Sequence, residues 1–395
     1  MSEHRIVGAE SIIIDLPLRR IQRFAALGAD RTAVVLIRLK SDSGYEGIGE
    51  CCTPSGPWWG GESIESIKLI IDTYLKPLLP GSDPFDTIGL FRRMDRKLFG
   101  NMFAKAGVEM ALLDLQGKIL QIPVHDLLGG RQRSSLPCSW PLASGDPEVE
   151  IEEAIENIER KKFNIFKLKM GFLDPVIDVD RACKVARALD GKASVRADPN
   201  ESWDETTCKW AIPKMEQAGI SMVEQPLKRW NLEGSARVTA RYSIAIMADE
   251  SLSTLQDLFR ISRLRAADLV SLKVMKSGGL INTRRQADVA IESGLSVYMG
   301  TFLECSLGTA ANMQLAATLD DLPYGGELSG PCLVAEDITI RPARYENHEL
   351  QLEPGIGIAA ELDHEKVEAF RRDRTYSQHT VTTGKFGQKT AVELS

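Results

Sequence analysis

Residues 164–198, NIFKLKMGFLDPVIDVDRACKVARALDGKASVRAD, read as strand, helix and strand. The runs NIFKLKM and ASVRAD are short, apolar and closed by charged residues, and the span between them is amphipathic, so the stretch is one βαβ unit. The same texture recurs outward in CSWPLA, SMVEQP, IAIMADE, DLVSLKV, LSVYMG and a weaker LPYGGEL, which makes eight candidate strands. A polar or glycine residue stands near the end of each strand from the second onward: Lys169, Asp198, Glu224, Asp249, Lys273, Gly300 and Glu327. The intervals between them are 29, 26, 25, 24, 27 and 27 residues. Spacing this even predicts an α/β chain with a (β/α)8-type barrel over residues 131–340. A doubly wound sheet would alternate too, but no phosphate-cradling glycine motif follows a strand.

Upstream, SIIIDLPL, a polar loop and TAVVLIRLKSDSGYEGIGEC read as a hairpin with Asp42, Ser43 and Gly44 at a turn. In FAKAGVEMALLDLQGKIL, apolar residues at three- and four-residue steps predict a helix with one buried face. Residues 1–130 are therefore expected to form an α+β capping domain. Residues 341–370 are expected to return to it, and residues 371–395 to form a polar tail.

Composition narrows the chemistry. The chain has 395 residues, 43% hydrophobic, with a formal charge of −7. It shows no basic field for nucleic acid or anionic membrane, no run long enough to span a bilayer and no signal segment. A small-molecule enzyme of the cytoplasm, assembled as a homo-oligomer, is expected. The seven cysteines are scattered without a CxxC pair, and the five histidines lie outside every constellation. Oxygen ligands are thus favoured for any metal.

Barrel enzymes work at the C-terminal rim, where VRADPN, MVEQP and IMADES end three neighbouring strands in Asp198, Glu224 and Asp249. Three such anions repel, and a divalent cation, Mg²⁺ or Mn²⁺, relieves them. Asn200 and Glu250 read as residues supporting these ligands. Lys167 and Lys169 share one strand face roughly 7 Å apart. Their mutual repulsion, about 2 kcal/mol at an effective dielectric near 20, predicts that one pKa falls by more than about one unit. Lys273 ends the strand opposite. An ion between opposed amines suits proton transfer beside a carboxylate, through an enediolate. Lys276, just beyond, reads as a loop or helix-start residue.

At these residues, with KLKMG, RADPN, EQP, ADES, LKVMKSGG, GTFLECSLGTAA and ELSGP together, the chain resembles the muconate-lactonizing subgroup of the enolase superfamily. That superfamily is known for a Lys or His base acting with Mg²⁺. The resemblance implies Asp198, Glu224 and Asp249 as metal ligands, Lys169 as acid/base catalyst, Lys167 as its electrostatic partner, Lys273 on the opposite face and Glu327 in the substrate site. GTFLECSLGT and GELSGP look most like muconate cycloisomerases, which interconvert cis,cis-muconate and muconolactone. The implied ligand is a small dicarboxylate. In the capping segments, Arg19, Arg20 and Arg23 are candidate carboxylate partners, and Trp58 and Trp59 are candidate walls. An o-succinylbenzoate synthase or N-acylamino-acid racemase would use the same residues. A Schiff-base lysine aldolase is the mechanistically distinct alternative, separable by chelation.

Overall fold

A computed structural model of the chain describes residues 4–24, 27–54, 56–57, 59–373, 381–383 and 391–392. The N-terminal sheet is antiparallel: β1 (Ile6–Phe24) and β3 (Glu46–Thr53) flank β2 (Leu27–Ser41). Gly44, at φ +85°, takes the left-handed turn position that opens β3. The polar segment expected as a loop between the first two runs is largely strand, since Gln22 pairs with Ala29 and Arg23 with Gly28. Helices α1 (Ile64–Ile70), α2 (Thr87–Lys97) and α3 (Met102–Leu120) follow.

In α3 every residue from Phe103 to Gly117 is buried, rather than one face. One side packs on β2 and β3, and the other on helices of the barrel. Glycines permit the approach: a Cβ at Gly47 would stand 2.1 Å from the Ala111 carbonyl oxygen, and one at Gly49 2.3 Å from that of Gly107. Such all-round burial requires the polar residues of α3 to be paired. Asp114 accepts the N–H groups of Ile48 and Ile358 at 2.8 Å each, and Lys105 donates to Asp95 and to the Leu98 carbonyl.

After α4 (Val124–Leu127) and β4 (Ser135–Pro137), seven parallel strands run in spatial order: β5 (Ser139–Leu142), β6 (Ile165–Lys169), β7 (Ser194–Asp198), β8 (Ile220–Glu224), β9 (Ala245–Ala248), β10 (Leu269–Leu272) and β11 (Ser296–Met299). The connecting helices are α5 (Pro147–Glu159), α6 (Pro175–Ala188), α7 (Glu205–Gln217), α8 (Leu232–Arg241), α9 (Leu255–Leu264), the single turn α10 (Val274–Ser277) and α11 (Leu280–Glu292), with α12 (Ser306–Ala316) after β11. The loops entering α5 and α6 close with an aspartate N-cap followed by proline, a pairing that starts a helix abruptly.

The eighth strand expected at LPYGGEL is reduced to a bridge. Gly326 pairs with both Cys138 and Met299, and closes the barrel through Ser139 N–H to its carbonyl at 2.7 Å. Side chains are excluded there, because a Cβ at Gly325 would lie 2.2 Å from the Pro137 carbonyl oxygen.

The chain then returns to the capping sheet. Asp15 N–H donates to the Phe370 carbonyl, and the Arg372 guanidinium clasps the Asp15 carboxylate at 2.7 and 2.9 Å. Most of the segment expected as a polar tail lies outside the described residues. Among the described residues, no helix is long and apolar enough to cross a membrane.

Candidate active site

Alternation along the strands decides what enters the barrel mouth. Lys167 pairs in register with Arg196, and Lys169 with Asp198, so the two lysines share the inward face. Beneath them Met222, Met247, Leu269 and Tyr298 are in contact, with the buried Arg196 guanidinium 5.6 Å from the Tyr298 ring. Above these stands an ionic layer. The Lys167 ammonium lies 2.7 Å from Glu224, 3.5 Å from Asp198 and in close contact with Glu327. Lys169 donates to Asp198 at 2.7 Å, and Lys273, directly after β10, to Asp249 at 2.6 Å.

All of these groups are buried, so their electrostatics are those of a low-dielectric layer. Burial opposes the Lys167 charge, but Glu224, Glu327 and Asp198 outweigh it and hold its pKa well above the ordinary lysine value. The repulsion expected to depress one lysine is thus overridden at Lys167, because anions surround it. Burial likewise opposes the Asp249 and Asp198 charges. Lys273 and Lys276 nevertheless hold Asp249 far below the carboxylate range, and Lys169 and Lys167 lower Asp198. Glu224 goes the other way, to about 8, pushed by burial and then by Asp198.

The three acids end adjacent strands, and Glu224 Oε1 is buried without a hydrogen-bond partner in the protein. An orphaned carboxylate oxygen beside two further carboxylates is a donor set that fits a hard divalent cation. In the described residues no three His, Cys, Asp or Glu side chains already converge as ligands, since Asp198 and Asp249 are turned onto lysines. Asn200 holds Asp198 through its backbone N–H at 3.1 Å, whereas its side chain donates to Glu250 rather than to Asp198. Glu250 is buried, and burial with Asp249 and Asp198 raises its pKa well above the carboxylate range.

Four residues, Lys276 and the three arginines, differ from the sequence reading. Lys276 occupies the helical turn α10, but its ammonium is buried and donates to both the Asp249 carboxylate and carbonyl at 2.6 Å each. The i, i+3 spacing of Lys273 and Lys276 on one turn was the available signal. The arginines are engaged elsewhere: Arg19 donates to the Ala335 carbonyl, Arg20 to that of Pro141, and Arg23 to those of Ala143 and Ser144. They moor the β1–β2 hairpin to the barrel rim, and the buried Gln22 between them lines the site. Trp58 lies outside the described residues. Trp59 faces the site, its ring 5.6 Å from the Lys273 ammonium, and the Phe302 ring lies 4.7 Å from the same ammonium.

Behind Lys169 lies a network that sequence reasoning missed. Arg181 is buried, pairs with Glu150 and Asp178, and donates to the Lys169 carbonyl at 2.8 Å, while Asp178 accepts the Gly171 N–H at 2.6 Å. It fixes the end of β6 from outside the barrel.

Comparison with known proteins gives the family of the chain. Residues 11–129 match the family model for the mandelate racemase / muconate lactonizing enzyme N-terminal domain, and residues 150–367 match the enolase C-terminal domain-like model. The chain belongs to the mandelate racemase / muconate lactonizing enzyme family. Among its family relatives, a chloromuconate cycloisomerase of Cupriavidus pinatubonensis is 49% identical over 361 residues, covering 91% of this chain and 97% of that protein. Muconate cycloisomerase 1 of Rhodococcus opacus is 36% identical over 373 residues, covering 94% and 100%. The muconate lactonizing enzyme of Pseudomonas fluorescens, solved in complex with muconolactone, superimposes with a TM-score of 0.92 at 40% identity, covering 94% of this chain and 100% of that one. The expected barrel with an N-terminal capping domain is the fold these family members share.

Proposed function

We propose that this chain is a cycloisomerase that interconverts cis,cis-muconate, or its chlorinated forms, with the corresponding lactone, and that it depends on Mg²⁺ or Mn²⁺. The observation that carries this reading is the pair of amine-bearing faces, Lys167 and Lys169 on one side and Lys273 on the other, around three carboxylates at one barrel mouth. Asp198, Glu224 and Asp249 would hold the ion. When bound, it supplies positive charge that stabilises the enediolate of a substrate carboxylate.

The protein's own groups do the rest. Lys169 is the proton carrier: in the lactone-forming direction it delivers a proton to the carbon beside one carboxylate as the other carboxylate closes onto the diene. In reverse it removes that proton, and the lactone C–O bond breaks. Lys167, kept charged by its anions, buttresses the developing negative charge, and Lys273 does so from the opposite face. Glu327 fixes Lys167, and Trp59, Phe302 and Gln22 exclude water around the substrate. A Schiff-base reading wants a free amine of lowered pKa; Lys167 and Lys273 are raised, and Lys276, which burial lowers, is bonded to the Asp249 carboxylate and carbonyl.

Loss of diene absorbance on adding muconate or chloromuconate, abolished by EDTA and restored by Mg²⁺ or Mn²⁺, is the expected result. Turnover of o-succinylbenzoate precursors or N-acylamino acids with none of muconates would transfer the site to the alternative activities. A borohydride-trapped adduct with activity retained in EDTA would overturn the metal scheme.

A further inference from the structure

We infer that Arg229 is a positioning residue, a latch that pins the capping-domain segment around Trp59 to the barrel rim and so sets one wall of the substrate site; this rests on the cycloisomerase reading above. Arg229 stands in the loop after β8. Its guanidinium is clasped by Glu201, with Nε at 3.0 and 3.1 Å from the two carboxylate oxygens and Nη2 at 2.6 Å. Its backbone N–H donates to the same carboxylate at 2.6 Å. One amino group is left over, and Nη1 donates to the Trp59 carbonyl at 3.1 Å, 170 residues away in the chain. This is the fork geometry that only arginine offers.

The backbone beneath is strained in a way that serves the contact. Asn200 and Glu201 are consecutive non-glycine residues in the left-handed region, at φ +44° and +63°. Such conformations persist only where the surroundings over-determine them. Here the pair turns Asn200 inward to Glu250 and Glu201 outward to Arg229, while Glu201 N–H is tied to the Gln225 carbonyl at 2.8 Å.

What the latch holds is a partition. Trp59, Lys273 and Phe302 line both the site around Lys169 and Glu327 and a second cavity of 180 Å³ that reaches Arg229, Glu250 and Lys276. On the loop's other side Gly60 abuts the Phe103 ring, which a Cβ would meet at 2.6 Å. Without Arg229 one tie between the Trp59 backbone and the barrel rim is lost, which loosens the wall that the two cavities share. Lys273 keeps its bonds to Asp249 and its place against Phe302, so the loss falls on substrate binding rather than on chemistry.

The test compares Arg229→Ala, Arg229→Lys and the double variant with Trp59→Ala, with muconates as substrates and hydrogen–deuterium exchange read on peptides spanning residues 56–62. Arg229→Ala is expected to raise KM about tenfold, with kcat changed less than about threefold, and to speed exchange in that segment. Arg229→Lys is expected to behave alike, since one ammonium cannot serve both partners. In the Trp59→Ala background, removing Arg229 should change KM less than about twofold. A lysine variant with the original KM would show that charge alone matters, and additive effects would place the action of Arg229 elsewhere; either result overturns the latch. Should the unmodified chain convert no muconate, the cycloisomerase reading fails, and exchange alone then decides: faster exchange in the variants supports the latch and unchanged exchange removes it.

Discussion

Removing the charge of Lys167 separates its role from that of its neighbour Lys169. Lys167→Met would strip a cation from three buried carboxylates at once: Glu224 at 2.7 Å, Asp198 at 3.5 Å and Glu327. Breaking a buried pair by deleting one partner costs about 3–5 kcal/mol, because the other charge is left uncompensated. Part of that cost is relieved by proton uptake. Burial and Asp198 already raise the Glu224 carboxyl to about 8 against the pull of Lys167, and loss of Lys167 raises it further. The variant's folded state therefore binds more protons than the parent's, so its deficit grows as pH rises. Lys169→Met removes a partner from Asp198 alone, which keeps Lys167 and the Asn200 N–H, and about 1–2 kcal/mol is expected. Urea midpoints by far-UV circular dichroism at pH 6 and pH 8, in EDTA and in Mn²⁺, test both. Lys167→Met should fall well below Lys169→Met in EDTA at pH 8 and recover most of the gap with Mn²⁺. Equal midpoints for the two variants in EDTA at pH 8 would refute the charge balance assigned to Lys167.

Turnover separates the same pair from the other side: Lys169→Ala should keep the parent's circular dichroism and metal titration while kcat falls by about 10²–10⁴, measured by diene absorbance. Arg181→Met should cost about 3–5 kcal/mol in urea, because Glu150 and Asp178 lose their buried partner, and should lower kcat by releasing the Lys169 carbonyl. Burial raises Glu109 to about 8. Its protonated form thus contributes stability that is complete below about 4.5 and lost as pH climbs through 8. Glu109→Gln should therefore gain on the parent by up to about 1.4 kcal/mol per pH unit across that window, seen as urea midpoints that diverge from pH 5 to pH 8. A pH-independent gap would count against it.

Why some of this was readable in the residues and some was not has a physical basis. Consecutive barrel strands from the second to the fifth end in a charged residue, so Lys169, Asp198, Glu224 and Asp249 are visible as a period even before the strands are paired. The eighth strand was over-read because a glycine pair can close a barrel by backbone bonds alone, without the side-chain alternation that advertises a strand. Burial of α3 on every side depends on what packs against its second face, which no local pattern encodes. The same holds for Arg20 and Arg23, whose targets are main-chain carbonyls more than a hundred residues away.

The domain interface explains how loops on one domain can be placed accurately over residues on the other. Two capping-domain carboxylates are driven into the N-termini of barrel helices. Glu50 accepts the N–H groups of Cys305 and Gly308 at the start of α12, and Glu109 accepts that of Ile281 at the start of α11. Glycines make room, since a Cβ at Gly279 would fall 2.0 Å from Glu109 and one at Gly308 3.0 Å from Glu50. Burial raises both acids, Glu50 to about 7, which is the cost of using directional bonds where an apolar contact would be cheaper. Apolar surfaces can slide by a fraction of a side chain, but a carboxylate seated on helix N–H groups cannot move without losing its bonds. With the two domains registered in this way, differences in substrate choice within this architecture are expected to arise from the capping-domain side chains that line the mouth above the lysines, Gln22 and Trp59.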